Sequence, residues 1–179
     1  MEQIKIPAFA GMTMKNMLLK LLLSGDGGQG VQAIADIISQ AVLKSGLEIM
    51  SIPNYGLEQR GGISLVFIKI SDKEIGYPKF TTPDILLILS DQARLRTEQY
   101  QKKDIKILDI GNFKDILLKE KIKTQSLNVF FLGVLAKILI DKKICETSDI
   151  VAQLEKKLGK KLGWEENKKA FEFGLKYSS

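Results

Sequence analysis

Apolar positions recur along this chain with two different periods, and the change from one to the other lays out its elements. Leu18 to Leu23 is a short apolar run, broken only by Lys20, that leads into Ser24-Gly25-Asp26-Gly27-Gly28-Gln29-Gly30. A run of that length closed by glycines predicts a buried strand entering a tight turn. Beyond it Val31, Ile34, Ala35, Ile38, Ala41, Val42 and Leu43 repeat at helical spacing, and Gly46 stands where a helix C-cap belongs. Leu47 to Ile52 predicts a second strand, stopped by Pro53. Strand, turn, helix and strand make a βαβ unit, for which parallel strands and a right-handed crossover are expected.

Polar residues from Asn54 to Gly62 predict a loop, after which Ile63 to Ser71 alternates loosely as a strand. Asp72-Lys73 predicts a turn into a short return strand around Ile75, the antiparallel excursion of the sheet. The parallel pattern resumes with Ile85 to Leu89, a helix from about Asp91 to Gln101, and Ile105 to Ile110. From Gln125 onward only helical spacing remains, near Ser126 to Ile140, Ser148 to Leu158 and Glu165 to Tyr177. The expected fold class is α/β: a Rossmann-like three-layer fold with a mostly parallel sheet, one antiparallel excursion and a helical C-terminal segment. Met1 to Asn16 fits none of these elements and reads as a disordered upstream extension of a single α/β domain, Met17 to Ser179.

Two apolar segments invite a membrane reading, and neither supports it. Val129 to Ile140 is shorter than the roughly 20 residues that a span needs and contains Lys137, so a buried helix is expected. Met14 to Leu23 has the outline of a secretory signal, but Lys20 interrupts it and the small residues Ala8 to Gly11 precede the apolar core instead of following it. A cytoplasmic location is the expectation.

Composition narrows the chemistry. The 179 residues include no histidine and one cysteine, Cys145. A histidine base, a His-containing triad and the usual zinc sites are excluded, and one thiolate cannot hold an iron–sulfur cluster. The net charge of +6 is carried by the C-terminal part: Met1 to Gln99 has 10 basic and 10 acidic residues, Tyr100 to Ser179 has 17 and 11. This excess is all lysine, with no arginine after Arg96 and no interleaved aromatics, which argues for solvated helix faces and against a nucleic-acid surface.

Two loops carry candidate chemistry. Gly25, Gly27 and Gly30 have GxGxxG spacing between a strand and a helix, the setting in which that spacing admits a phosphate to a helix N-terminus. A dinucleotide site also expects an acidic residue at the end of the second strand, where this chain has Ser51-Ile52-Pro53-Asn54; Glu48 lies at the strand's beginning. Gly28 and Gln29 depart further from that pattern, and a turn built for packing or another ligand stays open. The second loop, Tyr55-Gly56-Leu57-Glu58-Gln59-Arg60-Gly61-Gly62, joins a charge pair to two glycines at the carboxyl end of a strand. In an open parallel sheet both loops would emerge on one edge, where ligands and partners meet.

Taken together, Gly-x-Gly-Gly-Gln-Gly and Tyr-Gly-x-Glu-x-Arg-Gly-Gly resemble the gamma subunit of the 2-oxoacid:ferredoxin oxidoreductases, the 2-oxoglutarate type in particular. The resemblance runs from about Lys20 to Tyr177 through Ile75, Pro78, Asp84, Asn128, Leu132-Gly133, Asn167, Ala170-Phe171 and Gly174; Leu57 and Gln59 stand where the family commonly has proline and methionine. It implies an accessory chain with no catalytic residue, cofactor or metal of its own. Its complex would oxidise a 2-oxoacid with coenzyme A to acyl-coenzyme A and carbon dioxide, reducing ferredoxin. By the same resemblance, thiamine diphosphate and magnesium belong to alpha and beta subunits, and iron–sulfur clusters to a ferredoxin-like delta subunit or domain. Gly25, Gly27, Gly28, Gln29, Gly30, Tyr55, Glu58, Arg60, Gly61 and Gly62 are then the candidate interface residues. Two other readings stay open: a stand-alone dinucleotide-binding oxidoreductase, and a noncatalytic module that meets an acidic partner through its lysine-rich helices.

Overall fold

The computed structural model describes residues 16–55 and 62–177. Residues 1–15 of the expected extension, and Gly56 to Gly61 of the second loop with Glu58 and Arg60, lie outside the described residues. Five strands, β1 (Leu18–Asp26), β2 (Glu48–Tyr55), β3 (Ile63–Ser71), β4 (Ile85–Ile88) and β5 (Lys106–Asp109), form one sheet in the order β2-β3-β1-β4-β5. The helices are α1 (Val31–Leu43), α2 (Asp91–Arg96), α3 (Lys114–Lys119), α4 (Leu127–Asp141), α5 (Thr147–Leu158) and α6 (Trp164–Lys176), with short 3-10 turns at Glu98–Tyr100, Ile110–Phe113 and Thr124–Ser126.

The α/β class holds, with corrections in the sheet. Strand β3 runs antiparallel to both β1 and β2, so β1, β2, β4 and β5 all point one way and β3 is the single reversed strand. It lies between β1 and β2, which are parallel in sense but not neighbours. No strand forms at Ile75; the reversal comes from β3 itself. Pro53 does not stop β2 either, since the strand continues to Tyr55. Its edge position explains the tolerance, because a proline without an N–H fits where no outer neighbour asks for one.

Side chains alternate between two unequal cores. Leu19, Leu21 and Leu23 of β1, Val66, Ile68 and Ile70 of β3, Ile85 and Leu87 of β4 and Leu108 of β5 face α1, α4, α5 and α6. Leu22, Leu65, Phe67, Leu86 and Ile88 face a thinner cover of Ala93 from α2, with Phe80 and Tyr100 meeting the Phe67 ring at 5.1 and 5.9 Å. The three layers are therefore thick on one side of the sheet and thin on the other.

Helix α4 and the turn before it, Thr124–Asp141, are together long and apolar enough to cross a membrane. Its residues Val129 to Ala136 and Leu139 are instead buried in the larger core, as expected of a central helix. Gly133 and Gly174 set its contact with α6: a Cβ on Gly133 would lie 2.9 Å from the Gly174 Cα and nearer still to the Phe171 carbonyl oxygen. A Cβ on Gly174 would collide with the Phe130 carbonyl oxygen. Backbone rests on backbone along this seam. Phe113 locks the adjoining end, with ring centroids 4.9 Å from Phe131 and 4.8 Å from Tyr177.

Candidate functional site

Because β1 leads to α1 on one sheet face and β4 leads to α2 on the other, the chain parts between two adjacent parallel strands. Open sheets bind ligands outside the carboxyl ends of strands at such a switch point. An open groove of about 680 Å³ lies there, lined by Asp26 at the end of β1, by Ser90, Asp91 and Arg94 around α2, and by Gly111, Lys114 and Leu118 after β5. A smaller recess of about 100 Å³ adjoins it, bounded by Gly28, Gln29, Thr124, Gln125 and Asn128.

The glycine turn forms the groove's inner lip. Gln29 folds its carboxamide back under the turn, where Oε1 accepts the Asp26 N–H at 2.7 Å and Nε2 donates to the Leu89 carbonyl at 3.2 Å. Gly25 lacks a Cβ because one would sit 2.7 Å from that Oε1 and 2.8 Å from Val31 Cγ2. Gly28 and Gly30 take φ of 94° and 76°, in the left-handed region that favours glycine, and Asn128 packs so closely on Gly30 that a Cβ would strike its amide nitrogen. The Gly27 N–H donates to the Gly62 carbonyl at 3.0 Å. The first loop thus touches the end of the second, as two loops on one edge should; Tyr55 enters that edge as the last residue of β2.

The opposite wall was not anticipated from the sequence. Ser90 caps α2, accepting the Ala93 N–H at 3.0 Å, and its hydroxyl donates to Asp26 Oδ1 at 2.6 Å, tying the first strand's end to the second helix. Arg94 grips Asp109 with two parallel bonds, Nε to Oδ2 at 2.5 Å and Nη2 to Oδ1 at 2.7 Å, and Nη1 also pairs with Asp91. The Gly111 N–H donates to Asp109 Oδ1 at 2.7 Å. The guanidinium outweighs burial and holds the Asp109 carboxyl below the usual carboxylate range, with the Gly111 N–H adding to it, while both carboxylates raise the pKa of Arg94. Ser90-Asp91 after an apolar run is an N-cap signal that locates α2; the Arg94–Asp109 link joins residues 15 apart and has no local signature.

This geometry does not suit dinucleotide binding. With β3 inserted, the end of β2 lies two strand spacings from β1, about 10 Å, and it carries no acid. Nor do the described residues fit a metal or cluster: no three of His, Cys, Asp and Glu gather among them. Cys145 is buried, and desolvation, with Asp149 and Glu146 nearby, pushes its thiol up to about 12, unlike a ligating thiolate.

Residues 20–108, which contain the glycine turn, most of the sheet and Arg94, match the family Pyruvate ferredoxin/flavodoxin oxidoreductase. The chain carries a domain of this family. Its sequence is 42% identical over 80 residues to the 2-oxoglutarate synthase subunit KorC of Methanothermobacter marburgensis, a match spanning 44% of this chain and 43% of that relative, so less than half the relative's length is covered. The fold resembles the keto/oxoacid ferredoxin oxidoreductase gamma subunit from Geobacter sulfurreducens, at TM-score 0.66 and 19% identity over 88% of this chain and 96% of that one. It also resembles 2-oxoglutarate:ferredoxin oxidoreductase from Magnetococcus marinus, solved with 2-oxoglutarate, coenzyme A and succinyl-CoA bound, at TM-score 0.72 and 19% identity over 88% of this chain and 30% of that one. Several residues that carried the family resemblance have structural tasks in this domain and the helices after it. Asp84 accepts the Lys20 N–H at 2.7 Å and so fixes β4 to β1, Asn128 packs on the glycine turn, and Gly133 meets Gly174.

Proposed function

We propose that this chain is the gamma subunit of a thiamine-diphosphate-dependent 2-oxoacid:ferredoxin oxidoreductase that converts 2-oxoglutarate and coenzyme A to succinyl-coenzyme A and carbon dioxide, in the cytoplasm. Residues 17–179 act as one accessory domain. Thiamine diphosphate, magnesium and the iron–sulfur clusters belong to alpha, beta and delta partners, and the acceptor is ferredoxin. The observation that carries this reading is the family match over the carboxyl-edge strands, joined to 42% identity with a 2-oxoglutarate synthase subunit.

In this reading the edge formed by Gly25 to Gly30 and Tyr55 to Gly62 faces the thiamine-binding subunits and borders the path of coenzyme A, with Arg60 pairing with a phosphate or a partner carboxylate. The test is reconstitution with the candidate partner subunits, followed by 2-oxoacid- and coenzyme A-dependent reduction of methyl viologen. Activity with 2-oxoglutarate above pyruvate and 2-oxoisovalerate, lost when this chain is left out, is the expected result. Equal activity without the chain would refute the assignment. In the same assay Arg60→Ala is expected to weaken assembly or raise the coenzyme A KM; if neither moves, the loop's role is withdrawn.

A further inference from the structure

The carboxyl-edge groove does not involve the most concentrated charge on the surface. Between α5 and α6 the chain reads Lys156-Lys157-Leu158-Gly159-Lys160-Lys161-Leu162-Gly163-Trp164: four lysines within six residues, with no acid among them. Lys157 pairs with Asp36 on α1, whereas Lys156, Lys160 and Lys161 are exposed and join no ion pair among the described residues. Leu162 stands at the tip, 104% exposed, although its neighbours Leu158 and Trp164 both pack on the larger core. Gly163, at φ 86°, makes the turn that leaves Leu162 outside.

A fully solvated leucine directly after the exposed, unpaired Lys160 and Lys161 is a small charged patch with one apolar anchor. Its size suits a brief, electrostatically steered encounter, since permanent subunit interfaces are larger and more apolar. Neither arginine forks nor aromatic platforms accompany the lysines, as nucleic acid would require. We propose that this turn is a docking point for a small acidic electron-carrier protein, its lysines attracting the carrier's carboxylates and Leu162 entering an apolar recess on it. The partner class follows from charge complementarity and from a family whose description names ferredoxin and flavodoxin; to that extent the inference rests on the proposed function.

The experiment uses the assembled complex and a purified acidic ferredoxin as probe, with binding read by biolayer interferometry at low and physiological salt. The double variant Lys160→Glu, Lys161→Glu is expected to weaken binding about tenfold at low salt, with the difference shrinking as salt screens the charges. Leu162→Ser is expected to weaken binding by a smaller factor that salt does not alter. Methyl viologen reduction should stay at the wild-type rate in both variants. Unchanged ferredoxin binding in both variants overturns the proposal. Wild-type pelleting with phosphatidylserine vesicles, lost in the double variant while ferredoxin binding is unaltered, would also overturn it in favour of a lipid surface. The proposed function fails separately, if the wild-type complex reduces no viologen with any 2-oxoacid, and the binding measurement still decides the docking point in that event.

Discussion

Glycines crowd two regions of this chain, the α4–α6 seam and the turn after β1, and an added methyl group would fare differently in each. At Gly133 and Gly174 it meets the backbone of the facing helix, which cannot move aside without parting the two elements. At Gly30 it meets the end of the Asn128 side chain, and at Gly28 nothing lies within 4 Å. The seam needs glycine for proximity and the turn needs it for conformation, since Gly28 and Gly30 both have positive φ. Similar residues in the sequence therefore mark a rigid scaffold in one place and a shaped, accessible lip in the other.

The sharpest way to break this contrast is Gly174→Ala. Overpacking against backbone is expected to cost roughly 3 kcal/mol or more, seen as a large drop in Tm or a loss of soluble protein. A variant as stable as wild type would mean that the seam is looser than its geometry. Gly30→Ala should cost less, about 2 kcal/mol, combining a left-handed alanine with the Asn128 collision. Adding Asn128→Ala should recover only the collision part, because the φ strain remains; full recovery in a double-mutant cycle would show that conformation counts for nothing there.

The smallest effect is expected at Asp109→Asn, where the groove wall depends on charge and not on packing. The folded-state pKa of Asp109 lies below its unfolded value, so its contribution to stability is present above the unfolded pKa, near 4, and fades as pH falls through the folded value. The stability gap between wild type and the Asn variant should therefore be open at pH 7 and close below about pH 4. The corresponding gap for Gly174→Ala should hardly change with pH in that range. A pH-independent gap at Asp109 would show that the Arg94 link is not what the carboxylate contributes.

The same contrast explains what could be read from the sequence. The apolar runs and helical spacing located β1, α1, β4, β5 and the three terminal helices, because each is a local pattern with one period. Strand β3 was visible but its place was not: insertion between β1 and β2 is a pairing choice between distant segments, with Leu18 opposite Ser71 and Glu48 opposite the same residue. Pro53 misled because a proline stops a central strand and is tolerated at an edge, and edge position is again a property of the whole sheet. In the site, the glycine turn announced itself through spacing, whereas Ser90, Arg94 and Lys114 become a groove wall, with Asp109 gripping Arg94, only when β4 and β5 stand side by side. The lysine excess was legible as composition, but the exposure of Leu162 within it was not.

The single thiol gives a handle on all of this. Cys145 lies between α4 and α5, buried and with its pKa pushed up to about 12, so the folded chain offers almost no thiolate to a labelling reagent at neutral pH. Modification then requires the α4–α5 corner to open. The rate at which a maleimide or disulfide dye attaches to the unmodified protein would measure how often that corner opens, giving a native-state clock for the scaffold without any introduced probe.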